Sequence, residues 1–92
     1  GRIAQMVGNT MKNLSNYHQI IAISHLPQIS AVSQNCILVE KIEKDDKTYS
    51  IAKILSNDEK IIEIAKLLSG DNLSDANIKS AYELINNSNL EK

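Results

Sequence analysis

The stretch Gln19-Ile20-Ile21-Ala22-Ile23-Ser24-His25-Leu26-Pro27-Gln28 decides how this chain is read. Ile20-Ile21-Ala22-Ile23 is a continuous apolar run of strand length, the pattern of a strand buried on both faces of a parallel sheet. The carboxyl end of such a strand is where α/β proteins gather phosphate-binding and catalytic groups. There the run gives way to Ser24 and His25, so a strand is predicted over residues 18–24 with a histidine loop at its end. Pro27 needs no amide donor in the first turn of a helix, which predicts a short helix over residues 27–33. His18, at the opposite end of the strand, reads as a surface residue.

Before this run, Ile3, Met6, Val7, Met11 and Leu14 recur at helical spacing over residues 2–15. Gly8 interrupts them, as a helix does where another backbone comes close, and Asn16 ends the helix. After it, Cys36-Ile37-Leu38-Val39 starts a second strand that runs to about Glu43. Lys44-Asp45-Asp46-Lys47 is a charged turn and residues 48–55 return, which predicts a β-hairpin over residues 36–55. Tyr49 and Ile51 face one way, Thr48 and Ser50 the other, solvated way.

Two helices follow. Ser56 and Glu59 have capping-box spacing, Ile61, Ile62, Ala65 and Leu68 form the expected apolar stripe, and Gly70 suits the stop. Ser74 caps the last helix, Leu73 and Ile78 have staple spacing, and Ile78, Ala81, Tyr82 and Ile85 form its expected buried face. Residues 86–92 are polar and expected to fray. The order is helix, buried core strand, short helix, β-hairpin, two C-terminal helices, an α/β inventory. A fully apolar strand needs neighbours on both edges, and the hairpin is too polar to supply them. The expectation is that the other strands of the sheet lie upstream.

Ninety-two residues make one small domain at most. The chain has three Tyr and no Trp or Phe, so its core must be aliphatic. A net charge of −1 gives it no electrostatic grip of its own on nucleic acid or an anionic membrane. The single Cys36 cannot close an internal disulfide and reads as a small buried hydrophobe in a reducing cytoplasm. No Cys/His cluster has zinc spacing, and no apolar stretch approaches the ~18 residues of a membrane span. Gly1-Arg2-Ile3-Ala4-Gln5 carries neither an initiator Met nor a signal peptide and reads as mid-protein sequence.

Catalytic motifs are largely missing: GxxxxGK[ST], GxGxxG, HExxH and GxSxG do not occur. Ser24 and His25 are adjacent on a strand end and point in opposite directions, which argues against a hydrolytic dyad. The mixed charges of the turn at residues 44–47 read as a solvated tip. Asp58 and Glu59 lie in a first helical turn, where acids favour the helix dipole, so with Glu63 they do not read as a catalytic carboxylate pair.

The blocks Gly1-Arg2-Ile3-Ala4-Gln5-Met6-Val7 and Gln19-Ile20-Ile21-Ala22-Ile23-Ser24-His25-Leu26-Pro27-Gln28-Ile29 resemble the C-terminal end of the RecN family. These are bacterial DNA-repair ATPases related to SMC proteins and the ATP-binding-cassette superfamily. The resemblance covers essentially the whole chain, with Ser24-His25-Leu26-Pro27-Gln28 its most specific part. It implies a single partial domain, residues 1–92, forming the C-terminal lobe of a P-loop ATPase head. Residues 1–35 would be the helix, core strand and histidine loop, 36–55 the hairpin and 56–92 the helical C-terminus. In the family the head is assembled from N- and C-terminal parts separated by a coiled coil. The phosphate loop lies in the first, and the signature motif, acidic strand, D-loop and switch histidine in the second.

By this resemblance the chain would begin as the D-loop ends, and His25 would match the switch histidine. In the family that side chain meets the γ-phosphate and attacking water, where an imidazole can donate a hydrogen bond to phosphoryl charge. Gln28, in the same block, either supports His25 or faces solvent as a first-turn residue. Leu68-Ser69-Gly70-Asp71 only imitates a signature motif: it lacks the second Gly and follows the histidine.

The resemblance implies ATP and Mg²⁺ as cofactors of the parent protein, with neither expected to bind this chain alone. It implies the remainder of the chain, a second head in a homodimer, and DNA as partners, no membrane, and a cytoplasmic, nucleoid-associated location. Alone, the chain is expected to hydrolyse no ATP and to self-associate through the edges of residues 20–23. The other reading is a stand-alone interaction or dimerisation module without nucleotide chemistry. A head of another SMC-like protein or of a transporter is a more distant fit to the block around His25.

Overall fold

The structure, a computed structural model, describes residues 1–70 and 73–90. The element order is α1 (Arg2–Leu14), α2 (Pro27–Val32), β1 (Ile37–Lys44), β2 (Lys47–Ile54), α3 (Asn57–Ser69) and α4 (Asp75–Leu90). Mixed helix and sheet are both present, as expected. The core sits where α2, α3 and α4 meet: Ala31, Ile64, Ala65 and Ala81 are buried, with Ile61, Leu84 and Ile85 packed around them. Three of those four buried residues are alanines, so the helices approach closely around one large side chain, Ile64.

α1 docks on α2 through Gly8. A Cβ built on Gly8 would lie 3.1 Å from the Gln28 carbonyl oxygen and 3.4 Å from Val32 Cγ2. The residue is buried and, as its place in the sequence suggests, sits where a second backbone comes close. Ser15 caps the C-terminal end of α1, and the chain turns through Asn16 and Tyr17.

The predicted hairpin is present. Ile42 faces Tyr49, Glu40 faces Ile51, and Lys44 faces Lys47 across a two-residue turn. Asp45 and Asp46 have φ of 54° and 62°, both left-handed, which is the backbone of a type I′ turn. Tyr49 and Ile51 share one face and Thr48 and Ser50 the other. The expectation of a single solvated face needs correction, since every residue of both strands except half-buried Leu38 is exposed. Cys36 is half-buried and just precedes β1.

α3 opens with the expected capping box: the Glu59 amide donates to Ser56 Oγ and the Ser56 amide to Glu59 Oε1. It ends at Gly70 with φ 74°, a region that favours glycine. Ser74 Oγ accepts from the Asn77 amide at the start of α4. The buried faces are rotated from those predicted. In α3 the face is Ile61, Ile64 and Ala65, while Ile62 and Leu68 are each 40% exposed. In α4 Ala81, Leu84 and Ile85 face the core, while Ile78 and Tyr82 do not. α3 packs on α4 and α2 together, and that pairing selects which of two overlapping apolar stripes turns inward. The end expected to fray from Asn86 is helical through Leu90; Glu91 and Lys92 lie outside the described residues.

The largest correction concerns residues 18–24. They are neither a strand nor buried: among the described residues the only sheet is the hairpin, and Ile21 and Ile23 are 86% and 102% exposed. The physical cause is the missing partner. A strand is a paired object, and β1 and β2 pair only with one another, not with this segment. The segment stays extended and solvated between α1 and α2.

Candidate functional site

His25 sits at the junction of that extended segment with α2. The Leu26 amide donates to Ser24 Oγ at 3.0 Å, closing a short turn over the histidine. Leu26 is the N-cap of α2, and its carbonyl accepts from the amides of Ile29 and Ser30, both at 3.1 Å. Pro27 takes the first position of the helix, where no amide donor is required. The backbone on both sides of His25 is therefore tied down, while the imidazole itself is exposed.

The hydrogen bond at Ser24 Oγ is thus to the turn, where it accepts from the Leu26 amide, and not to His25. Gln28 is half-buried in the first turn of α2, and its main-chain oxygen meets Gly8. His18 is exposed at the end of the turn after α1. Among the described residues no group of three or more His, Cys, Asp or Glu side chains could hold a metal ion. No described helix is long and apolar enough to cross a membrane.

The carboxyl end of α2 is held by a residue of α3 that the sequence did not single out. Lys60 Nζ donates to Ser33 O at 2.8 Å and to Ala31 O at 3.3 Å, bridging α3 to α2. Burial pushes its pKa below the ordinary 10.5. Lys60 lies one helical turn before Ile64, on the inward face. That placement was the available signal, once the stripe is assigned to Ile61, Ile64 and Ala65. At the other end of the hairpin Lys53 pairs with Glu59. That contact, with the Ser56 amide and hydroxyl, lowers the Glu59 carboxyl from 4.5 to about 2.

No family model matches the chain. Among curated proteins it is 34% identical over 85 residues, 92% of its length, to the DNA repair protein RecN of Rickettsia felis. RecN of Rickettsia prowazekii is 35% identical over 85 residues, and RecN of Bacillus subtilis is 34% identical over 56 residues, 61% of the chain. The chain spans 16%, 15% and 10% of the lengths of these relatives.

Proposed function

We propose, on the premise that this chain is a RecN-related segment, that it is the C-terminal part of a DNA-repair ATPase. His25 is then the side chain that meets the ATP γ-phosphate. The observation that carries the reading is similarity to proteins named for DNA repair over 92% of the chain, in several species. The geometry of the loop is compatible with it. An exposed imidazole on a fixed backbone turn can donate a hydrogen bond to phosphoryl oxygen without first giving up an internal partner. Donors aimed at developing charge supply much of the catalysis in phosphoryl transfer.

Phosphate loop, signature motif and acidic strand are absent from this sequence. ATP binding and Mg²⁺ coordination therefore fall to the rest of the parent, and this chain supplies one contact. Gln28, partly buried in the first turn of α2, would support His25 only indirectly. The stand-alone interaction module is the weaker reading, because the relatives are DNA repair proteins far longer than this segment. Action in double-strand-break repair, pairing of two heads, contact with DNA and a cytoplasmic, nucleoid-associated location belong to the same proposal.

The test is His25→Ala in the complete protein. Removing a donor of this kind is expected to lower ATP turnover by about 100-fold. Turnover at the parental rate would sink the assignment. The 92-residue chain alone is expected to show no ATP hydrolysis, and measurable hydrolysis by a clean preparation would contradict the division of labour.

A further inference from the structure

We infer that Lys60 is the positioning residue of the histidine turn: it holds the carboxyl end of α2, and α2 sets the turn that carries His25. The inference rests on the switch-histidine reading and goes beyond it by naming the residue that fixes that side chain's backbone.

A continuous run of hydrogen bonds joins the two residues. Lys60 Nζ donates to Ser33 O. The Ser33 amide and hydroxyl both donate to Ser30 O, at 3.2 and 2.6 Å. The Ser30 and Ile29 amides donate to Leu26 O. The Leu26 amide donates to Ser24 Oγ. His25 lies between the last two residues of this series. Helix α2 is only six residues long, too short to hold its shape unaided, so its geometry depends on external fastenings. Gly8 presses on it at Gln28 and Val32, and Ala31 in its last turn is buried in the core. Lys60 is the fastening at its end and the only charged one of the three. The last carbonyls of a helix lack intrahelical donors, and a cation is the favoured partner for them. The partly buried ammonium donates to those carbonyls from α3, and this pair of bonds ties the two helices together.

Two experiments test this. In the 92-residue chain, Lys60→Met is expected to shift the backbone amide signals of residues 24–30 as well as those of 31–34, with the Ile64 and Ala81 methyl signals unmoved. Lys60→Gln keeps a donor on α3 but falls short of α2; it must shift the same amides and serves if the Met variant fails to fold. Shifts confined to residues 31–36 in a folded variant overturn the inference. In the complete protein, Lys60→Met is expected to lower kcat for ATP by ~10-fold, with KM within about twofold, as misplacement of a contact without loss of binding would. Added to His25→Ala, it should cost less than about twofold more, because residues acting through one contact are not additive. Independent multiplication of the two losses overturns it. If His25→Ala alone has no effect, the switch reading fails, and the amide shifts still decide whether Lys60 sets the turn.

Discussion

Gly8 offers the sharpest test of how α2 is held. In an exposed helix interior, replacing Gly by Ala gains about 1 kcal/mol of helix propensity. Here the new Cβ would stand 3.1 Å from the Gln28 oxygen and 3.4 Å from Val32 Cγ2. That is tighter than ordinary contact, so α2 must withdraw by a few tenths of an ångström. Its oxygen is main chain rather than a flexible side-chain end, and Ala31 and Lys60 resist the movement. Overpacking of this kind costs about 1–3 kcal/mol, which exceeds the propensity gain. Gly8→Ala is expected to be neutral to destabilising by ~2 kcal/mol, and Gly8→Val, with two further methyl groups, by ~3 kcal/mol. Urea and thermal unfolding measure both, with the exposed α1 substitution Asn13→Ala as the unopposed propensity control. For a domain of this size the Val variant would lose well over 10 °C in Tm, at about 4–8 °C per kcal/mol. If Gly8→Ala stabilises the chain as much as or more than the control does, α1 and α2 do not meet through Gly8.

Asp46, at φ 62°, carries a Cβ where a type I′ turn prefers glycine, so Asp46→Gly is expected to raise stability by ~0.5–1 kcal/mol in urea unfolding. The Glu59 carboxyl is lowered to about 2 by Lys53 and the Ser56 cap. Its contribution is therefore fully present above about pH 4.5 and lost as pH falls through about 2. Glu59→Gln, which can still cap, should flatten that part of the Tm-against-pH curve, and an unchanged acid limb would contradict it. The 92-residue chain is expected to self-associate at tens of micromolar through residues 20–23, with Ile21→Lys and Ile23→Lys restoring the monomer. A monomer mass for the unaltered chain by light scattering would refute this.

Local chemistry made much of the fold legible. The hairpin with its turn, the Ser56–Glu59 box, the glycine stop at Gly70 and proline at the head of α2 are each encoded within a few residues. The shared face of Tyr49 and Ile51 followed from period-two alternation alone. Which apolar stripe of α3 and α4 turns inward was not legible. Ile61, Ile62, Ile64, Ala65 and Leu68 overlap in sequence, and only the placement of α2 chooses among them. Lys60 was missed for the same reason, since a lysine reads as surface until its face is known. The apolar run at residues 20–23 shows the opposite limit. Its composition asks for burial, yet burial of a strand requires partners, and none lies within the described residues. At the candidate site, His25 was proposed from the sequence around it, whereas the bonds that hold its turn emerged only from the structure.

The extended stretch between α1 and α2 has one more consequence. Proteases accept their substrates as extended, accessible backbone, and residues 19–25 already have that form, with apolar side chains in solvent. A brief exposure to protease should nick the 92-residue chain there first. α1 would then be cut free covalently but remain seated on α2 through Gly8. Incorporation of the same stretch into a sheet would remove the cleavage site. Its rate of nicking would thus gauge how far this segment has been assembled with the remainder of a larger protein.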